Sequence, residues 1–84
     1  MSANQVHFYT KPECKLCDEA KAMLETYQLM YEFEVIEHNI EENNQLHEQY
    51  FLKIPVVNIG EVELDATELN MATLDDVLSE KFKA

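Results

Sequence analysis

Two cysteines three positions apart, Cys14 and Cys17, are the residues of this chain best suited to chemistry. They are its only cysteines and lie in the run Thr10-Lys11-Pro12-Glu13-Cys14-Lys15-Leu16-Cys17-Asp18-Glu19-Ala20. The chemistry such a pair offers is thiol–disulfide exchange. The run joins a predicted strand to a predicted helix. Cys14 would then stand at the helix start, where unpaired N–H groups and the helix dipole favour negative charge. That setting lowers a thiol pKa and leaves the thiolate, the reactive form, at the surface. Cys17 returns to the same face about one turn later. It would attack a mixed disulfide on Cys14 and release the partner. Nearby charges act both ways: Lys11 and Lys15 favour the thiolate, whereas Glu13, Asp18 and Glu19 oppose it. A disulfide closing so small a loop removes little unfolded-state entropy, so the pair makes better sense as chemistry than as a staple.

The elements that must hold this pair can be read from the pattern around it. Gln5–Thr10 is β-branched and aromatic with little charge, as expected of a strand covered on both faces, and Pro12 ends it. From Cys14 to about Leu29 the period becomes helical, with Cys17, Ala20, Leu24 and Tyr27 on one stripe. Tyr31-Glu32-Phe33-Glu34-Val35 alternates apolar with acidic and reads as a half-buried strand near a sheet edge, running on toward His38 and Asn39. A second helix starts near Glu41–Asn44, with Asn or Glu at its mouth and Leu46 and Tyr50 on its apolar face. Lys53–Ile59 and Val62–Leu64 flank Gly60-Glu61 and read as a hairpin, with the only glycine at positive φ. Asp65–Ala72 is a connection. Thr73 looks like the N-cap of a last helix, with Asp76 as its capping-box partner; Leu74, Val77, Leu78 and Phe82 form its face and Lys81 and Lys83 lie near its end.

Charge and length exclude several function classes. The chain has 84 residues, is expected to be one domain spanning 1–84, and buries about two thirds of its unfolded surface. Its 17 acidic against 6 basic residues give a net charge of -11, which disfavours nucleic acid and anionic membranes as partners. No apolar run approaches the ~20 residues that span a bilayer. Met1–Gln5 lacks the features of a secretory signal, so a cytoplasmic setting is expected. The histidines carry no metal spacing: His7 reads as a packed or partly exposed strand residue, His38 as solvent-facing, and His47 as flanking the second helix.

The order β-α-β-α-β-β-α, with Cys-x-x-Cys after the first strand and Ile54-Pro55-Val56 before the third, resembles the minimal thioredoxin fold of glutaredoxin size. The run Tyr9–Lys21, with Cys-x-Leu-Cys followed by Asp, is most similar to the small bacterial glutaredoxin-like proteins. The resemblance covers nearly the whole chain. It implies an α/β fold with a four-stranded mixed sheet, order 2-1-3-4, the first two strands parallel and joined by a right-handed crossover. Helices one and three would cover one face and helix two the other. It also implies Cys14 as attacking thiol, Cys17 as resolving thiol, and Pro55 as a cis-proline facing them. A cis bond there would turn the Ile54 backbone toward a partner chain adding as an extra strand. With Lys11, which matches a lysine before the family motif, and Lys15 and Leu16 between the cysteines, Ile54 and Pro55 form the expected substrate-binding set.

Two departures narrow that implication. Glutathione-using glutaredoxins carry Gly-Gly after the fourth strand, then an Asp; here the stretch is Glu63-Leu64-Asp65-Ala66-Thr67-Glu68. Side chains there impede close backbone approach. The usual Pro-Tyr between the cysteines is replaced by Lys15-Leu16. The resemblance thus implies dithiol chemistry without implying glutathione. The expected activity is reduction of protein or low-molecular-weight disulfides by a monomer without bound cofactor, recharged by a small thiol or a reductase. The alternatives are a non-enzymatic redox-sensing adaptor that binds a protein partner through the same motif, and metal or Fe–S binding. The last has only half the ligands of a tetrahedral site.

Overall fold

The computed structural model describes residues 4–82. Four strands, β1 (Gln5–Thr10), β2 (Glu34–Asn39), β3 (Val56–Ile59) and β4 (Val62–Leu64), form one mixed sheet in the order β2-β1-β3-β4. The β1–β2 pair is parallel, whereas β3 runs antiparallel to both β1 and β4. Among the described residues there are three α-helices, α1 (Lys15–Tyr27), α2 (Asn44–Tyr50) and α3 (Met71–Lys81), and a 3-10 turn at Ile40–Glu42. This is the minimal thioredoxin fold.

Alternation along the strands divides the core between the two faces of the sheet. Val6 and Phe8 of β1 and Val57 and Ile59 of β3 pack with Cys17, Ala20 and Leu24 of α1 and Leu74 and Leu78 of α3. Tyr9 and Val56 turn the other way, toward Tyr50 and Leu46 of α2 and toward Ile40. Helices one and three therefore share one face, and α2 lies on the other. The two-residue turn at Gly60-Glu61 closes the hairpin, with Gly60 at φ 62°, where a side chain would be strained. Glu61 of that turn is ion-paired with Lys81 of α3.

Three local expectations are corrected. β2 begins at Glu34, not Tyr31. Tyr31 is held in the turn after α1, where its N–H donates to the Tyr27 carbonyl at 2.8 Å, and Asn4 binds the backbone on both sides of Phe33. Phe33 still reaches the core and stacks on Phe82, so the alternation reports burial but not the strand boundary. The cap of α3 is Asn70, not Thr73. The Thr73 N–H donates to Asn70 Oδ1 at 2.9 Å and the Asn70 N–H to Thr73 Oγ1 at 3.1 Å, so threonine fills the N3 position of the box. His38, expected to face solvent, is half-buried between His7 and Tyr9. For α2 the cap is Asn43, whose Oδ1 accepts from the amides of Gln45 and Leu46. Lys83 and residues 1–3 lie outside the described residues.

Candidate functional site

The site lies where β1 hands over to α1. Pro12 and Glu13 make the turn, with Glu13 in the left-handed region at φ 56°. Few non-glycine residues adopt that conformation without local compulsion. Cys14 follows in extended geometry, φ -120° and ψ 106°, as the N-cap of α1. Its carbonyl accepts the first helical hydrogen bond, from the Asp18 N–H at 3.0 Å. Its Sγ takes the role that a serine or asparagine oxygen usually plays, accepting from the Cys17 N–H at 3.1 Å. The two cysteines are joined as a disulfide, with Cα atoms 5.1 Å apart.

The sulfurs differ in access. Cys17 is 1% exposed and belongs to the core on the α1–α3 face, whereas Cys14 is half-buried at its edge. Between them, Leu16 is 58% exposed.

Two cavities flank the motif. One, of about 70 Å³, is lined by Leu16, Glu19, Ala20, Met23, Pro55, Ala66 and Leu69. The sheet register explains why Pro55 is here: Val56 is the partner of Tyr9, so the residue before it reaches the end of the sheet where the cysteines lie. The Ile54-Pro55 bond is cis, as the resemblance implied. The Ile54 N–H donates to the Tyr50 carbonyl at 3.0 Å. The second cavity, of about 210 Å³, lies beside Cys17 and is polar, with Lys11, Glu13, Asp18, Lys21, Glu37 and Asn39 among its walls. Lys21 and Glu37 pair across it at 3.4 Å. The predicted residues are therefore split: Leu16 and Pro55 share the apolar groove, Lys11 lines the polar cavity with Cys17, and exposed Lys15 lines neither.

Sequence reasoning missed the outer wall of the groove, the loop after β4. Asp65 Oδ1 accepts from the Thr67 N–H at 2.9 Å, the Thr67 hydroxyl at 2.6 Å and the Glu68 N–H at 3.2 Å. Glu68 Oε1 accepts from the Asp65 N–H in return at 3.2 Å. The Thr67 hydroxyl first, then the Thr67 and Glu68 amides and Lys53, holds the Asp65 carboxyl below its usual range. The signal was present: Asp-x-Thr favours an Asx-turn, and Glu three residues after Asp mirrors a capping box.

Among the described residues no group of three or more His, Cys, Asp or Glu is placed to hold a metal ion. None of the described helices is long and apolar enough to cross a membrane.

Known structures share this fold. A protein from Nitrosomonas europaea, solved by NMR, is 27% identical and superposes with a TM-score of 0.75, over 99% of this chain and 95% of that one. An X-ray structure of a protein from X. campestris is 28% identical with a TM-score of 0.66, over 84% of this chain and 96% of that one. A malarial protein at 11% identity shares the fold alone, with a TM-score of 0.65 over 95% of this chain and 98% of that one. Residues 5–79 match the model of the glutaredoxin-like domain (DUF836), so the chain belongs to that glutaredoxin-like family.

Proposed function

We infer that this protein is a thiol–disulfide oxidoreductase that reduces disulfides with the Cys14–Cys17 dithiol. The observation that carries the reading is the unequal setting of two bondable sulfurs, one capping a helix at the surface and the other buried behind it. In the reduced protein the Cys14 thiolate is favoured by the Cys17 amide and by the helix dipole. It attacks one sulfur of a substrate disulfide. A mixed disulfide forms, and the other substrate sulfur leaves as thiolate and takes a proton from water. Cys17 then loses its proton and attacks Cys14 Sγ, forming the intramolecular disulfide and releasing the second substrate thiol. Two electrons pass from the protein dithiol to the substrate. A low-molecular-weight thiol or a reductase returns them.

Exposed Leu16 and half-buried Ile54 are the surfaces a substrate would meet first, while Pro55 is buried next to Ile54. Because the Ile54 N–H is already used, a partner strand would be met by its carbonyl. The reading as a redox-sensing adaptor uses the same residues and differs only in turnover. The test uses two variants. Cys14→Ser abolishes exchange, and Cys17→Ser accumulates a covalent mixed disulfide, detectable by mass, that excess thiol releases. Full activity in Cys14→Ser would overturn the assignment. A single oxidation event that alters partner binding, with no catalytic turnover in the presence of thiol, would favour the adaptor.

A further inference from the structure

We propose that the groove beside the cysteines takes an apolar side chain from a basic polypeptide disulfide, and not an anionic thiol such as glutathione. This deepens the redox reading above and rests on it.

The floor and rim of the groove state what fits. Leu16, Ala20, Met23, Pro55, Ala66 and Leu69 give it an apolar lining, and about 70 Å³ suits one side chain better than a whole tripeptide. Its charged borders are acidic. Glu19 lines it on the α1 side, and Asp65 and Glu68 are part of the loop that supplies Ala66 and Leu69.

The same loop has no spare donors for an anion. Anionic ligands are commonly held by free backbone N–H groups or by clustered cations. Here five consecutive amides are already used. The Asp65 N–H goes to Glu68 Oε1, the Ala66 N–H to the Lys53 carbonyl at 3.0 Å, and the Thr67 N–H to Asp65 Oδ1. The amides of Glu68 and Leu69 both reach the Asp65 carbonyl, at 3.0 and 2.9 Å. The Asp65 carboxylate thus occupies from within the place an incoming carboxylate would take, and it stays ionised because its own loop stabilises the anion. The local cations do not reverse this. Lys11 lines the other cavity, Lys15 is not part of the groove, and Lys53 acts on Asp65. At long range the net charge of -11 repels anions and steers cations inward.

Single-turnover oxidation of the prereduced full-length protein tests this, since it needs no recharging system. Four disulfides are compared: a disulfide-linked peptide with leucine beside its cysteine and flanking arginines, the same peptide with glutamates for the arginines, the arginine peptide with serine for leucine, and glutathione disulfide. Neutral bis(2-hydroxyethyl) disulfide reports the intrinsic exchange. The arginine–leucine peptide should react about tenfold or more faster than its glutamate counterpart and than glutathione disulfide at low salt, an advantage that shrinks as salt screens the charges. Replacing leucine by serine should cost a further several-fold through lost apolar burial. The double variant Glu19→Lys, Glu68→Lys should reduce or invert the charge preference, and the wild-type series stands without it. Exchange with the neutral disulfide but no charge or leucine preference would overturn this inference and leave the redox reading in place. No exchange with any of the four, or with the neutral disulfide, would overturn both.

Discussion

The two faces of the sheet are built on different principles. On the α1–α3 face the core is apolar and closed: Val6, Phe8, Leu24, Val57, Ile59, Leu74 and Leu78 are fully or almost fully buried, and Cys17 belongs to the same cluster. On the α2 face a helix of seven residues covers only one end, and the strands present rings in its place. His7 and His38 stack with centroids 5.1 Å apart, Tyr9 stacks on His38 at 4.8 Å and on Tyr50 at 4.4 Å, and the Tyr50 hydroxyl donates to Glu63 at 3.2 Å. The difference teaches where the chemistry can be precise. The resolving sulfur is fixed by the dry, interlocked side, while the opposite side is held by polar contacts that respond to protons. A site needing one sulfur to meet another gains from the first kind of support.

This contrast yields a graded set of expectations. The largest effect is expected on the closed α1–α3 side: Leu24→Ala should cost about 2–5 kcal/mol in denaturant unfolding, through lost transfer energy and the cavity left behind. It should also loosen Cys17, raising its alkylation rate in the reduced protein. A smaller loss comes from Tyr50→Phe, which keeps the ring stack and removes only the bond to Glu63, at about 1 kcal/mol. It should leave Cys17 reactivity unchanged. Burial and then Glu63 push the Tyr50 hydroxyl up to about 12, so the bond persists throughout neutral pH. If Tyr50→Phe proved the more damaging of the two, the ranking of the faces would be reversed.

The smallest effect is a pH dependence confined to the α2 face. His7 Nδ1 and His38 Nε2 lie 2.9 Å apart, close enough for one ring to donate a hydrogen bond to the other. Burial first, then His7, lowers the His38 pKa from 6.5. The unfolded chain therefore binds a proton there at a pH where the folded chain does not. Stability from this residue is complete above about 6.5 and is lost as pH falls toward the lowered value. Unfolding measured across this range should show a slope that His38→Gln flattens. An unchanged slope would detach the ring cluster from any titration.

How much of this was legible in the sequence depends on the range of the interactions that decide each feature. The cysteine pair, its place at a strand–helix junction, the hairpin at Gly60 and the element order follow from local pattern. The start of β2 did not, because Asn4 settles it from outside the segment while the buried Phe33 keeps the alternation going before the strand begins. By residue type Asn70 and Thr73 are equally good caps; only the reciprocal bonds between them assign the roles. His38 reads as a surface residue until β1 supplies His7 and Tyr9 beside it. In the site, the sulfurs were identified from spacing alone, whereas the self-closed loop at Asp65–Leu69 needed the register of β4 to bring it beside Leu16.

The central claim is that one sulfur is held ready as an anion at the helix mouth while the other waits, protonated and enclosed. Alkylation of the reduced protein across pH, with each cysteine quantified separately by mass, tests it most directly. The account predicts that Cys14 reacts with a midpoint well below the ordinary thiol value of about 8.5, while Cys17 remains slow until higher pH. Equal rates and equal midpoints for the two, or a faster Cys17, would contradict it.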